Sequence, residues 1–181
     1  SSDLLARPGT SRRAEIARHH GVAPDRRWAL LSFTGLDWSS EALRRLTADP
    51  GIAWLTLQPF DLSTHGGITV ERDLFTFQDV IASADVVVSK PGYGILSECI
   101  VNGKPLVYAD RENFIEYPVL VDWLRRTLRN VHIPSAELYA GNLAPYVARI
   151  EDQPPPPESI ERGGDEPAAH RLAGIARAGK V

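Results

Sequence analysis

The sequence predicts an α/β fold in which a parallel β-sheet is covered by helices on both faces. Apolar runs of strand length alternate along the chain with segments of helical spacing. The runs at residues 28–33, 52–57 and 86–88 are apolar at most positions rather than at alternate ones. Such runs are typical of strands buried on both faces, which occur in parallel sheets.

The individual elements are predicted by their caps and terminators. Ser39 or Ser40 can cap the second helix, and Thr76 with Asp79 resembles a capping box that opens the third. Glycine ends the helices that stop near residues 20 and 102, and Pro118 can open another. The predicted helices cover residues 11–20, 41–47, 76–83, 95–101 and 118–128, with a further short helix capped by Ser135. The predicted strands cover residues 28–33, 52–57, 86–88, 106–108 and 131–133.

Length and composition agree with a single domain of this class. The chain has 181 residues, of which 43% are hydrophobic and 24% charged, as in an ordinary globular protein. We expect one domain over residues 1–181, with a core at 11–150, a proline- and glycine-rich linker at 151–166 and a C-terminal helix at 167–178. The chain opens with Ser1-Ser2 and contains no methionine, so we expect it to be a piece of a longer protein.

Charge and hydropathy exclude several classes of partner. The net charge of -3 provides no basic field, so no nucleic-acid partner is expected. Paired arginines, such as Arg12-Arg13 and Arg26-Arg27, fall in or beside helix patterns and are expected on solvated faces. No apolar stretch reaches the roughly 18 residues of a transmembrane segment, and no signal-peptide pattern opens the chain. We therefore expect a cytoplasmic protein.

The strand at residues 86–88 is followed by a turn that can bind an anion. The turn contains Pro91, Gly92 and Gly94, and a helix pattern begins directly after it. The first N–H groups of a helix have no intrahelical partner, and the helix dipole adds positive potential there. Glycine lacks the Cβ that would hold a phosphate away from these groups. The alternative is an ordinary strand-to-helix turn whose glycines only shape the backbone.

Two other polar turns also follow predicted strands. These are Thr34-Gly35 and residues 110–116. The carboxyl ends of parallel strands share one edge of the sheet, and ligands bind there at a switch point in strand order. The convergence of three such turns favours a phosphate-containing ligand.

Motifs for other phosphate sites and for metals do not fit the sequence. Residues 98–105 resemble the end of a Walker A loop but lack its first glycine and its Ser or Thr. Residues 92–97 lack the last glycine of the dinucleotide motif G-x-G-x-x-G. Cys99 is the one cysteine and is expected to be a small buried residue, and no two histidines have His-x-x-x-His spacing. We predict neither a metal site nor a cofactor.

A longer pattern joins these features. Ala84-Asp85 opens a strand that ends at Ser89, the glycine turn follows, and Ser97-Glu98 lies in the next helix. Gly103-Lys104-Pro105 then precedes another strand with a polar exit. In this order, residues 77–124 resemble the donor-binding half of GT-B glycosyltransferases. They are similar to the enzyme that adds N-acetylglucosamine to lipid I and to the UDP-glycosyltransferases.

The resemblance extends more weakly over residues 11–178. The form of the glycine turn is closest to a branch that includes glycosyltransferase-like proteins and the region preceding some sugar kinases. The resemblance implies a three-layer parallel sheet, the Rossmann-like half of a GT-B fold. It also implies a nucleotide-diphospho-sugar donor, with a UDP-sugar favoured.

The residues implied to bind the donor lie in the three polar turns and at the start of the helix that follows the second turn: Thr34, Gly35, Lys90, Gly92, Tyr93, Gly94, Ser97, Glu98, Asn113 and Glu116. Glu98 would accept hydrogen bonds from the ribose hydroxyls, and Glu116 and Asn113 would face the sugar. A carboxylate near a helix start is also favoured by the helix dipole alone, which is the structural alternative for Glu98. Contacts to the base are expected from aromatic residues near Phe60 and Phe75.

The expected chemistry is metal-independent glycosyl transfer. Helix N–H groups can stabilise the departing nucleoside diphosphate, and the chain has no Asp-x-Asp metal motif. The family's general base comes from an N-terminal acceptor domain, and nothing in this chain resembles that domain. We therefore assign no catalytic residue and expect the chain to be inactive without that domain. Two alternatives stay open, a nucleotide-sugar sensing or regulatory module, and half of a GT-B-type sugar-nucleotide epimerase.

Overall fold

A six-stranded parallel sheet organises the chain. The structure, a computed structural model, describes residues 6–33, 36–112 and 114–158. The strands are β1 Arg27–Ser32, β2 Ile52–Leu57, β3 Ile68–Val70, β4 Val86–Ser89, β5 Leu106–Ala109 and β6 Asn130–Ile133. The helices are α1 Arg13–His20, α2 Ser40–Leu46, α3 Phe77–Ser83, α4 Tyr93–Asn102, α5 Tyr117–Thr127, α6 Ser135–Tyr139 and α7 Ala144–Ala148, with a 3-10 turn at Ser63–His65.

The strand order is β3-β2-β1-β4-β5-β6, with every pair parallel. The chain moves outward from β1 to β3 and then returns to β4 on the other side of β1. This is the doubly wound order in which ligands bind at the carboxyl ends of the two central strands. The predicted α/β class with a three-layer parallel sheet is confirmed.

Two apolar layers hold the helices against the sheet. Side chains alternate along β1, so Trp28 and Leu30 enter one layer while Ala29 and Leu31 enter the other. Helices α1, α3, α4 and α5 cover the first layer, and α2, α6 and α7 cover the second. Cys99 is fully buried in the first layer, and burial raises the pKa of its thiol well above the ordinary value. The prediction that Cys99 is a buried residue is confirmed.

The amino-terminal edge of the sheet is held together by charge. The Asp85 carboxylate accepts hydrogen bonds from the Trp28 N–H at 2.7 Å and from Arg13 Nη1 at 2.7 Å. The Arg13 guanidinium also lies 4.6 Å from the centre of the Trp28 ring. The prediction that the first arginine pair lies on a solvated face is therefore wrong for Arg13, which is mostly buried. Its guanidinium bonds to Ser83 at the end of α3, to Arg26 just before β1 and to Asp85 just before β4.

Side-chain capping follows the sequence at α2 and α3. The Ser39 hydroxyl accepts from the Ala42 N–H at 3.2 Å, and the Thr76 hydroxyl accepts from the Asp79 N–H at 3.2 Å. Asp79 does not complete a capping box, because its carboxylate accepts from the Thr10 N–H at 3.0 Å instead.

The structure differs from the sequence prediction at three elements. Strand β3 and helix α7 were not predicted, and Ser135 does not cap α6, since its hydroxyl instead donates to Asp110 at 3.4 Å. The helix predicted at 167–178 lies outside the described residues. Within the ranges that the structure describes, no helix has the length and apolar character needed to cross a bilayer.

Candidate functional site

The carboxyl ends of the central strands meet at one edge of the sheet. Ser32, Ser89 and Tyr108 stand at the same level in the register of β1, β4 and β5. The Ser89 hydroxyl donates to the Ser32 carbonyl at 2.7 Å, which joins the two strand ends directly. The described segments that follow β4 and β5 therefore leave the sheet side by side, next to the end of β1. Thr34, Gly35 and Asn113 lie outside the described residues.

Helix α4 begins at the predicted glycine turn. Gly92 is its N-cap, with an extended φ of -164°, and no side chain makes a capping hydrogen bond there. The carbonyl of Gly92 accepts the N–H of Leu96 at 3.0 Å, which starts the helical ladder. Helix α4 has ten residues, so its N-terminus has a full dipole behind the first N–H groups.

The two glycines of the turn are not required by the backbone. A Cβ on Gly94 would meet no atom within 4 Å, and one on Gly92 would meet only Arg111 Nη1, at 3.3 Å. Neither glycine has a positive φ. Other residues could adopt both conformations, and alanine would be more stable than glycine at a helical position. At Gly94 the interpretation that glycine only shapes the turn therefore has no support in the geometry, whereas at Gly92 a larger residue would need the Arg111 side chain to move.

Glu98 lies further along α4, next to α3. Its Oε1 accepts a hydrogen bond from the Gln78 amide at 3.1 Å. Its Oε2 is shielded from solvent and has no hydrogen-bond partner among the described residues. An unpaired buried carboxylate oxygen is costly, so this atom is suited to accept hydrogen bonds from a ligand.

A cavity of about 650 Å³ adjoins Glu98. The N-terminal segment, residues 6–10, forms one wall, and Thr76 and Gln78 belong to the other. The segment is fixed closely, because the Gly9 N–H donates to Asn102 at 2.9 Å and a Cβ on Gly9 would lie 1.9 Å from the Gln78 carbonyl oxygen. The segment therefore limits access to Glu98 from this side.

Three other predicted residues occupy the surface around the turn. Lys90 is half-buried, donates to the Tyr139 hydroxyl at 3.3 Å and lies 5.7 Å from the centre of that ring. Tyr93 is 51% exposed and Ser97 is half-buried on α4. Lys90 through Glu98 thus form one continuous stretch from the end of β4 into α4.

The loop after β5 contacts the glycine turn through Arg111. This guanidinium donates to the Pro91 carbonyl at 2.9 Å and stacks on Phe114, with 3.9 Å from Cζ to the ring centre. Glu116 is exposed at the start of α5. The structure therefore connects the loop to the turn through a residue that was not among the predicted contacts.

Asp110 anchors the base of the same loop. Its carboxylate pairs with His132 Nε2 at 2.8 Å and accepts from the Tyr117 hydroxyl at 3.2 Å. Burial alone would raise the pKa of Asp110, but the bonds from His132, Tyr117 and Ser135 outweigh it, and the pKa lies below its ordinary value. Burial, together with this carboxylate, raises the pKa of Tyr117 to about 12.

Sequence reasoning missed Gln78, Arg111 and Tyr139. Gln78 and Tyr139 contact the predicted residues Glu98 and Lys90, and Arg111 contacts Pro91 in the glycine turn. Each comes from an element distant in sequence, so no local motif could predict the contact. Among the aromatic residues expected near the base, Phe75 is 5% exposed and packs in the first apolar layer beneath Arg12. Phe60 is only partly buried, so it retains an accessible face.

No protein-family model matches the chain. The chain is similar to an L-arabinokinase of Arabidopsis thaliana, a curated protein that is 30% identical over 174 residues. That match covers 93% of this chain and 16% of the relative, so the chain spans about a sixth of the kinase's length.

Two solved glycosyltransferases have a similar fold. CalG4, the calicheamicin glycosyltransferase, matches with a TM-score of 0.52 and 17% identity, over 71% of this chain and 34% of its own. The glycosyltransferase of kitacinnamycin matches with a TM-score of 0.54 and 19% identity, over 84% of this chain and 38% of its own. The chain therefore has the Rossmann-like fold of one half of a GT-B glycosyltransferase.

Proposed function

We propose that this chain is the C-terminal, donor-binding half of a GT-B-type protein and binds a nucleotide-diphospho-sugar, with a UDP-sugar favoured. The observation that carries the proposal is the N-terminus of α4, where Gly94 leaves open space that the fold itself does not require and Gly92 is approached only by the Arg111 side chain. A diphosphate in that space would accept hydrogen bonds from the N–H groups of Tyr93 and Gly94 in the first turn, which have no partner within a helix.

The ribose is assigned to Glu98. Its Oε1 is held by Gln78, and its Oε2 has no partner in the described part of the chain. A ribose hydroxyl would donate to this oxygen and remove the cost of leaving it unpaired. The structural alternative, a carboxylate placed only for the helix dipole, does not account for a desolvated oxygen beside a cavity.

The remaining predicted residues are assigned by their positions. Lys90 follows β4 and would add positive charge near the diphosphate, once its ammonium moves from Tyr139. Ser97 would add a hydroxyl on α4, and Glu116 would face the sugar from the start of α5. Thr34, Gly35 and Asn113 remain proposals from the resemblance alone.

The transfer step would need a second domain. Pre-oriented N–H groups at α4 can stabilise the negative charge that develops on a leaving nucleoside diphosphate. An acceptor hydroxyl also needs a general base, and we assign none to this chain. We therefore propose that the chain binds donor and does not catalyse transfer without its acceptor domain.

A second function is favoured by the L-arabinokinase relative. Its 30% identity over nearly the whole chain suits a nucleotide-sugar sensing module within a sugar kinase. Such a module would bind the same donor, but the protein containing it would not transfer the sugar to an acceptor. Donor binding is common to both functions, and a transfer assay on a longer protein separates them.

Calorimetric titration with UDP tests donor binding. We expect UDP to bind more tightly than uridine, because the diphosphate provides the contacts to α4. Glu98→Gln keeps the shape of the side chain and is expected to weaken UDP binding about tenfold or more, as for loss of a charged acceptor. Glu41→Gln alters an exposed first-turn carboxylate of α2 and serves as the matched control. Equal affinity of the Glu98→Gln variant and the unaltered chain would contradict the ribose assignment.

A further inference from the structure

A second group of functional side chains lies away from the α4 site. His19 and His20, the last residues of α1, approach Glu71, which directly follows β3. His20 Nε2 lies 3.3 Å from Glu71 Oε2, and His19 Nε2 lies 3.6 Å from the same oxygen. One potential ligand atom from each residue falls within 4.8 Å of the other two.

The two histidine–glutamate separations match those around a tetrahedral metal ion. With metal–ligand bonds of about 2.0–2.1 Å, two ligand atoms at a tetrahedral centre stand about 3.4 Å apart. Both histidine–glutamate separations lie near this value. Two imidazoles and one carboxylate form the donor set of many zinc sites, whereas Mg²⁺ and Ca²⁺ prefer oxygen ligands alone.

The local backbone brings the side chains of His19, His20 and Glu71 close together. Gly21 ends α1 with a left-handed φ of 65°, so both histidines stand in the last helical turn, where the dipole favours a cation. Their rings meet edge to face with centroids 4.8 Å apart. The Glu71 carbonyl accepts the Leu74 N–H at 3.2 Å, which fixes the turn that presents the carboxylate.

The two least accessible atoms of the group lack ordinary partners. His20 Nε2 and Glu71 Oε2 are shielded from solvent, and neither has a hydrogen-bond partner in the part of the chain that is described. Their 3.3 Å contact is not aligned as a hydrogen bond. A shared cation would satisfy both atoms at once.

We propose that His19, His20 and Glu71 bind a divalent cation of the zinc class. Three protein ligands leave a fourth position for water or an exogenous ligand. His20 and Glu71 also line a cavity of about 750 Å³, together with Gln58 and Asp61, so this fourth position has space beside it. The site is separate from the proposed donor residues and adds metal binding to a chain whose proposed glycosyl transfer requires no metal.

Titration of the full chain, carrying no affinity tag, with Zn²⁺ and with Co²⁺ tests the proposal. We expect one equivalent of Zn²⁺ in calorimetry and intense visible absorption with Co²⁺, as for four-coordinate geometry. His20→Ala and Glu71→Gln are each expected to weaken Zn²⁺ binding by about tenfold or more. Zn²⁺ is also expected to raise the unfolding temperature of the unaltered chain but not of Glu71→Gln.

His132→Ala is the matched control, because His132 also pairs with a carboxylate, Asp110, at 2.8 Å. This variant is expected to retain full Zn²⁺ affinity. Circular dichroism checks that each variant folds. If His20→Ala does not fold, the near-isosteric Glu71→Gln variant tests the proposal by itself. Absence of Zn²⁺ binding, or binding that survives Glu71→Gln, or equal weakening in His132→Ala, would overturn the proposal.

Discussion

Replacement of Gly94 by alanine tests whether glycine is needed at this position for ligand binding or for the fold. The new Cβ would meet no atom within 4 Å, and the residue already has helical geometry in α4. Alanine is favoured over glycine in a helix by about 0.5–1 kcal/mol, so urea unfolding should show an equal or higher midpoint. The fold itself gives no reason for glycine here.

The same substitution should weaken UDP binding. The Cβ of a helical residue tilts toward the helix N-terminus, which is where the diphosphate is proposed to lie. Loss of one hydrogen bond to a charged group costs about 1.5–3 kcal/mol, equivalent to roughly 10- to 150-fold in affinity. Calorimetry on the same samples measures this loss. Unchanged UDP affinity in the stable variant would refute close approach of phosphate to Gly94, and a lower urea midpoint would refute the open space inferred at this position.

Three further predictions concern stability. Gly9→Ala places a Cβ 1.9 Å from the Gln78 carbonyl oxygen. We expect the free energy of unfolding, measured in urea, to fall by about 1–3 kcal/mol. An unchanged urea midpoint would show that the N-terminal segment does not pack against Gln78. Arg13→Gln removes the 2.7 Å ion pair to Asp85, and a loss of about 1.5–3 kcal/mol is expected, whereas an effect near zero would assign Arg13 to the solvated surface. The pKa of Asp110 in the folded chain lies below its value of about 3.9 in the unfolded chain. Asp110 therefore stabilises the fold above a pH of about 3.9, and this stabilisation is lost as the pH falls through the folded-state pKa. Asp110→Asn removes this pH dependence, so the variant should lose less free energy of unfolding than the unaltered chain as the pH is lowered. The difference should be smaller than about 1 kcal/mol, because the Asp110 side chain is 42% exposed. An identical loss of stability at acid pH in the two chains would contradict the lowered pKa.

The fold was predictable because the strands form continuous apolar runs. Residues 52–57 fill β2 as expected, and the helix end at Gly103 shows the left-handed conformation that its sequence position indicated. Strand β3 was missed because Ile68–Val70 is too short to show a period. Helix α7 was missed because a five-residue helix is defined by its packing against β6 rather than by its own pattern.

The candidate site was predictable where it is continuous in sequence. The glycine turn and Glu98 lie within seven residues of one another, so a motif could locate both. Gln78 and Arg111 reach the site from α3 and from the loop after β5, and their contacts depend on tertiary packing. The His19, His20 and Glu71 cluster was missed for the same reason, since its carboxylate is far from its histidines along the chain.

Heteronuclear NMR of the amide-labelled chain during titration with UDP tests the central claim most directly. The account predicts that the amides of Tyr93, Gly94 and Ile95 shift most, because a diphosphate would accept their hydrogen bonds. The Glu98→Gln variant should shift these amides less at the same UDP concentration. Absence of shifts at millimolar UDP, or the largest shifts in the cavity beside His20, would contradict a donor site at the start of α4.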